Sequence, residues 1–159
     1  MRNQLPADDD FILWMLLNQV RHIIYLVMQK EHKQYGISTM RAIVLFYIKA
    51  IETIKGEATP TEISRWMIRE PHTISSIIAA MEKEGLVSKV KNPVKKSVVN
   101  VTLTEKGNHI YKESLKRKSL REILSCLSAE ERQLLDSSLE KLRDEAMKNL
   151  STKRKEPFP

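Results

Sequence analysis

Residues 59–107 read TPTEISRWMIREPHTISSIIAAMEKEGLVSKVKNPVKKSVVNVTLTEKG, and the fold is decided within this stretch. Thr59-Pro60-Thr61-Glu62 has the form of a helix start. A hydroxyl at the N-cap, proline at the first helical position and a carboxylate three residues on can satisfy free backbone N–H groups reciprocally. The spacing predicts a short helix over about 60–67, with Ile63 and Trp66 or Met67 facing inward. Arg69-Glu70-Pro71 ends it and opens a second helix, with Pro71 near its N1 position, that runs to about Glu84. Ile74, Ile77, Ile78 and Met81 give that helix a buried stripe, and Gly85 stops it. The period then changes. Val99, Val101 and Leu103 alternate with Asn100, Thr102 and Thr104, which is a strand pattern. Asn92-Pro93 marks a turn, so residues 86–91 are the partner strand of a hairpin.

Outward from this block the chain reads as helix. Ser38 caps a helix over 39–55 whose buried face is Ile43, Val44, Phe46, Tyr47, Ile48 and Ile51, and Gly56 ends it. Residues 8–35 form one long helix, with Asp8 to Asp10 at the positive end of its dipole. Most residues from Phe11 to Met28 are apolar, but Asn18, Gln19, Arg21 and His22 interrupt the run where lipid makes polar groups costly. A partner subunit covering the helix accounts for the pattern better than a membrane. On the other side, Thr104 caps a helix expected over 105–126. Ser128-Ala129-Glu130-Glu131 is a second capping box, followed by Leu135, Leu139, Leu142, Ala146 and Leu150 at helical spacing. Residues 151–159 have no periodicity and read as a disordered basic tail.

Composition agrees. The 159 residues suit one domain, and 42% hydrophobic content is enough for a core. Four glycines in the whole chain favour a mainly helical fold. The single cysteine, Cys126, excludes an internal disulfide and fits a reducing compartment. It stands between Leu124 and Leu127, an apolar setting that predicts a core residue with a dull thiol. The opening residues MRNQLPADDD lack the apolar run of a signal peptide, so a cytoplasmic location is expected. Net charge is +7. Residues 1–35 are neutral, 36–106 carry +4 and 107–159 carry +3, and a basic balance of this kind suggests a polyanionic partner.

The order of elements has a physical purpose. Of two helices packed at a steep angle, the second can enter the major groove of a duplex, where each base pair displays its own donor and acceptor pattern. The outward positions of its first turns are Pro71, His72, Thr73, Ser75 and Ser76, short and polar enough to lie against base edges. The hairpin that follows carries Lys89, Lys91, Lys95 and Lys96 in a stretch, 88–99, without Asp or Glu. A basic hairpin beside a reading helix can reach phosphate or the minor groove. Ser38, Thr39, Arg41, Thr61, Arg69 and Ser97 complete the expected backbone and wing contacts.

At this point a resemblance becomes plain. PTEISRWM (60–67), PHTISSIIAAMEKEGLVSKV (71–90) and VNVTLTEKG (99–107) resemble the first motif helix, recognition helix and wing return of the MarR family, the multiple antibiotic resistance regulators. LSCLSAEERQLLDSSLEKL (124–142) is similar to the closing helices of that family, and the likeness covers about residues 8–150. The resemblance implies a mainly α fold with a small β-hairpin wing. A winged helix-turn-helix (36–104) would be flanked by dimerisation helices (8–35 and 105–150). It implies a homodimer on double-stranded DNA with a pseudo-palindromic operator, its half-sites about one helical turn apart. It also implies a transcriptional regulator, a repressor released by a small aromatic effector, with Trp14, His22, Tyr25 and Arg41 as the expected lining of the effector cleft. The chain departs from the family in two respects: the usual Asp-x-Arg near the wing tip falls at Lys95 and Ser97, and an Arg common in the recognition helix is replaced by Ser76.

Other chemistry finds no footing in the sequence. His22, His32, His72 and His109 are scattered, and no zinc-protease, phosphate-loop or dinucleotide motif is present. No catalysis, metal or cofactor is expected. The competing reading is a winged helix that docks another protein through its apolar first helix without reading DNA.

Overall fold

The computed structural model describes residues 8–92 and 97–150. The Lys95 and Lys96 assignments and the tail at 151–159 therefore lie outside the described residues. Among the described residues, seven helices and one hairpin follow in the order α1 (Asp9–Gln34), α2 (Thr39–Lys55), α3 (Pro60–Trp66), α4 (Pro71–Lys83), β1 (Val87–Lys91), β2 (Val99–Leu103), α5 (Glu105–Ser114), α6 (Lys118–Leu124) and α7 (Ala129–Asn149). The strands are antiparallel, with Val87 opposite Leu103 and Lys91 opposite Val99.

Local chemistry sets most boundaries. Asp8 accepts the Phe11 N–H at 2.7 Å and Ser38 accepts the Arg41 N–H at 3.4 Å, so α1 and α2 begin at side-chain caps. At Ser128 both halves of the capping box form. At Thr59 one half does: its hydroxyl accepts the Glu62 N–H at 3.2 Å, while the Glu62 carboxylate turns to Lys55 Nζ at 3.1 Å and to the Thr59 hydroxyl. A cation in reach outcompetes the N-cap amide for that carboxylate.

The helices close in paired backbone bonds. After α4, Gly85 (φ +71) donates to Glu82 O and Leu86 to Met81 O, satisfying two end carbonyls. The same pattern ends α3, where Ile68 donates to Arg65 O and Arg69 to Ser64 O, but there Ile68 itself takes φ +51. A β-branched residue in the left-handed region costs about 1–2 kcal/mol. The turn between the two motif helices thus has a fixed, strained shape.

The core lies around α2. Val44, Leu45, Ile48 and Ile51 meet Ile63 and Trp66 of α3, Ile74, Ile78 and Met81 of α4, and Leu86, Val87, Val101 and Leu103 at the hairpin base. Burying an aliphatic side chain of this size contributes about 1.5–3 kcal/mol, so this cluster holds the lobe together. The stripe on α2 differs from the sequence reading: Leu45 is buried, whereas Ile43, Phe46 and Tyr47 are half-buried on the side toward the other helices.

Two further expectations are corrected. The helix read over 105–126 is two helices, broken at Leu115 to Arg117, and Arg117 adopts φ 42. No side chain of its own caps α6; Glu31 of α1 does so instead, accepting the N–H groups of Lys118 at 2.9 Å and Ser119 at 3.1 Å. The break is imposed by docking against α1. Cys126, expected in a core, is exposed.

The terminal helices leave apolar surface uncovered. On α1, Trp14 is 57% and Ile23 58% exposed, and on α7 Leu134 is 68% exposed. The 26-residue α1 is long and apolar enough to cross a membrane by length and composition, and none of its most apolar window is buried within the chain. Its one buried residue is His32, near the C-terminal end, where it meets α2.

Candidate nucleic-acid interface

Helix α4 has two opposite faces. Ile74, Ile78 and Met81 have no exposed area, whereas Pro71, His72, Thr73, Ser75 and Ser76 are all exposed. Pro71 occupies N1, so the polar positions fall in the first two turns, the part of an inserted helix that reaches base edges. The Ser76 hydroxyl donates to His72 O at 2.9 Å, which leaves its oxygen as an acceptor toward solvent.

The N-terminal end of α2 lies beside this face. Ser38, Arg41 and Ser76 line one open groove of about 320 Å³ between α2 and α4. Arg41 is not idle there: its guanidinium pairs with Glu84 at 2.5 Å. Thr39 is placed differently from the sequence reading. It is 1% exposed and its hydroxyl lies 3.1 Å from His32 Nδ1, so its side chain faces α1 rather than solvent. Thr61 and Arg69 are exposed near the two ends of α3.

In the wing, Lys91 and Ser97 are exposed and Lys89 pairs with Glu82 of α4 at 2.9 Å. The Lys89 ammonium holds the Glu82 carboxyl below its ordinary range. The hairpin is also stitched to the loop before α3. Val101 N–H donates to Ala58 O at 2.8 Å, and Asn92 Nδ2 donates to Glu57 Oε2 at 2.6 Å. Sequence reasoning missed Glu57, Glu82, Glu84 and Asn92. Their partners lie far along the chain or across a helix end, and spacing carries no signal for that.

The expected effector lining is not brought together. Trp14 and His22 stand exposed on α1, Tyr25 is half-buried, and Arg41 belongs to the groove beside α4. A separate cleft of about 120 Å³ opens where α1, α2 and the α5–α6 break meet, lined by Met28, His32, Phe46, Ser114, Arg117 and Leu120 among others. The Arg117 guanidinium sits 4.9 Å from the centre of the Phe46 ring. Burial pushes the His32 imidazole below its ordinary value, Arg117 adds to that shift and Glu31 opposes it. Within one chain α1 docks near His32 rather than along its apolar middle, which keeps Trp14 and His22 apart from Arg41.

No protein-family model matches the chain. An HTH-type transcriptional regulator of Bacillus subtilis, YsmB, is 29% identical over 131 residues, covering 79% of this chain and 87% of that protein. The crystal structure of the organohalide-sensing transcriptional regulator RdhR, bound to 2,4-dichlorophenol, is 28% identical. It superposes with a TM-score of 0.84 over 97% of this chain and 90% of that one. A mutant MarR from E. coli complexed with operator DNA shares the fold at 21% identity, with a TM-score of 0.76 over 86% of this chain and 99% of that one. With a wing, an exposed polar helix face and transcriptional regulators as its relatives, this chain is a winged helix-turn-helix transcriptional regulator similar in fold to MarR.

Proposed function

We propose that the chain is a cytoplasmic repressor. As a homodimer it seats the α4 helices of two copies in successive major grooves of a pseudo-palindromic operator. The observation that carries the reading is the split character of α4, with one side sealed in the core and the first two turns open and polar. Pro71, His72, Thr73, Ser75 and Ser76 read bases. Ser38, Arg41, Thr61, Arg69, Lys89, Lys91 and Ser97 hold backbone, with Lys95 and Lys96, which lie outside the described residues. The bare apolar faces of α1 and α7 support a second copy as the cover for both. A single chain with that much exposed leucine, isoleucine and tryptophan is a poor monomer. The protein-docking reading has less support, because the relatives named above are regulators of transcription.

Release by a small aromatic effector belongs to the same proposal. The cleft at His32, Phe46 and Arg117 lies between the DNA-binding lobe and the terminal helices, and its one cation over an aromatic ring suits a phenolate or aromatic acid. Binding there would bias how α1 sits on α2. The dichlorophenol bound to RdhR is a reasonable first probe.

The test is duplex selection from a random-sequence pool, followed by titration at several salt concentrations. The logarithmic salt slope should be about −0.9 per phosphate contact. Lys95→Ala with Lys96→Ala should weaken all duplexes and flatten the slope, whereas Thr73→Ala should change the preferred bases by about 1–3 kcal/mol at one position. A lysine double variant with an unaltered slope rules out the wing contacts. A pool that yields no enriched sequence rules out base reading.

A further inference from the structure

We infer that Glu57 and Asn92 form the brace that aims the wing. Glu57, an acidic residue beside a phosphate-binding hairpin, therefore raises DNA affinity instead of lowering it. The inference rests on the DNA-binding reading above. A two-stranded hairpin is marginal in water unless something else holds it. At its base β1 is held by the core, because Val87 is buried. Burial then fades along the strand: Ser88 is half-buried, and Lys89, Val90 and Lys91 are exposed. Apolar packing therefore stops fixing the strand before its basic residues are reached. Yet Asn92, one step farther out, is only 7% exposed.

The reason is that Asn92 turns back onto the loop before α3. Its Nδ2 donates to the Glu57 carboxylate at 2.6 Å, across 35 residues of chain, and its backbone N–H donates to Val98 O at 2.9 Å, closing the strands on each other. Beside it, Ala58 O accepts the Val101 N–H, so β2 is tied to the same loop. Hydrogen bonds to an ionised acceptor are the stronger kind. The two ties bolt the outer hairpin to the residues that also carry the Thr59 cap of α3. The Asp-x-Arg pair that the family resemblance led us to expect is absent, with Lys95 and Ser97 in its place. The Glu57–Asn92 bond is the strut the structure offers instead, and Lys91, next to Asn92, is the cation whose direction it sets.

Charge and positioning make opposite forecasts for Glu57, and that separates them. Glu57→Gln keeps an acceptor for Asn92 and removes the negative charge; Glu57→Ala removes both. Each variant is titrated in fluorescence anisotropy against a 30-base-pair duplex recovered by the wild-type chain from a random pool, between about 50 and 200 mM salt. The brace predicts that Glu57→Gln binds at least as tightly as wild type. Glu57→Ala should bind roughly three- to tenfold more weakly than both wild type and Glu57→Gln, with a salt slope shallower by about 0.9, one phosphate contact. Lys91→Ala should weaken binding in the wild-type background and do nothing further in Glu57→Ala. Asn92→Asp, which sets two carboxylates face to face, should reproduce Glu57→Ala. Glu57 is exposed, so its variants are expected to fold, and thermal melts at one protein concentration check that they and Asn92→Asp do. Equal affinity and slope for Glu57→Ala and Glu57→Gln overturn the brace. A wild-type chain that binds no duplex overturns the DNA-binding reading instead, so the two failures are distinct.

Discussion

Replacing Gly107 by alanine is the sharpest test of how the wing and α5 fit together. Gly107 is the third residue of α5, is buried, and donates its N–H to the Thr104 hydroxyl at 3.0 Å. A Cβ built there falls 1.9 Å from Leu86 O and 3.0 Å from Leu86 C, both backbone atoms. A carbon approaches a carbonyl oxygen no closer than about 3.3 Å, so α5 and the start of β1 must separate by about 1.4 Å. Leu86 O also accepts the Thr104 N–H at 3.1 Å, and the Thr104 hydroxyl donates to Gly85 O at 2.6 Å. The displacement therefore strains the helix cap as well. Overpacking of this kind costs about 1–3 kcal/mol and a lost cap about 1 kcal/mol more, against roughly 0.5–1 kcal/mol gained because alanine suits a helix better than glycine. The net is about 1–3.5 kcal/mol. At about 2–4 °C per kcal/mol for a chain of this size, Tm should drop by about 2–14 °C. Circular dichroism melts at one fixed protein concentration measure it, since assembly couples to stability. Lys112→Ala, on the exposed side of α5, is the control and should change Tm little. An alanine variant as stable as wild type would show that the Gly107 contact does not constrain the wing.

Two other outcomes follow from the packing. Burial lowers the His32 pKa below its ordinary 6.5. The unfolded chain therefore takes the proton first, and the stability held above 6.5 is lost as pH falls from there toward the lower folded value. Urea melts between pH 5 and 7.5 should show this slope, and His32→Gln should abolish most of it; an unchanged slope in that variant assigns the effect elsewhere. Ile23→Glu on α1 and, separately, Leu139→Glu on α7 place a charge on faces now 58% and 45% exposed in the single chain. Light scattering should show each converting a dimer toward monomer, with duplex binding weakened in step, and a full-mass dimer in both variants would move the interface to another face.

The motif lobe was legible because its punctuation is local. Ser38 and Gly56 bound α2, Pro60 and Pro71 sit at the starts of α3 and α4, and alternation marks β2. Gly107 was visible as part of VNVTLTEKG, but only the packing explains it: the backbone of Leu86 occupies the space a side chain would need. What failed were statements about tertiary partners. The break at Arg117 has no glycine or proline to announce it, because Glu31, far away in sequence, stabilises the new helix start. Leucines flanking Cys126 in sequence do not enclose it in space. Thr39, polar and beside a cap, reads as a surface residue until His32 of α1 closes over it. The brace at Asn92 was hidden for the same reason: its partner is 35 residues away.

The cap that Glu31 lends to α6 also orders events during synthesis. The carboxylate leaves the ribosome 87 residues before the amide of Lys118 that it will accept. At ordinary elongation rates of 5–20 residues per second that is a wait of roughly 4 to 17 s. A seven-residue helix has no independent stability in water, so α6 closes its first turn when α1 is already there to receive it. The C-terminal turn of α1, already in contact with α2, therefore stands ready for seconds before the helix it caps is made.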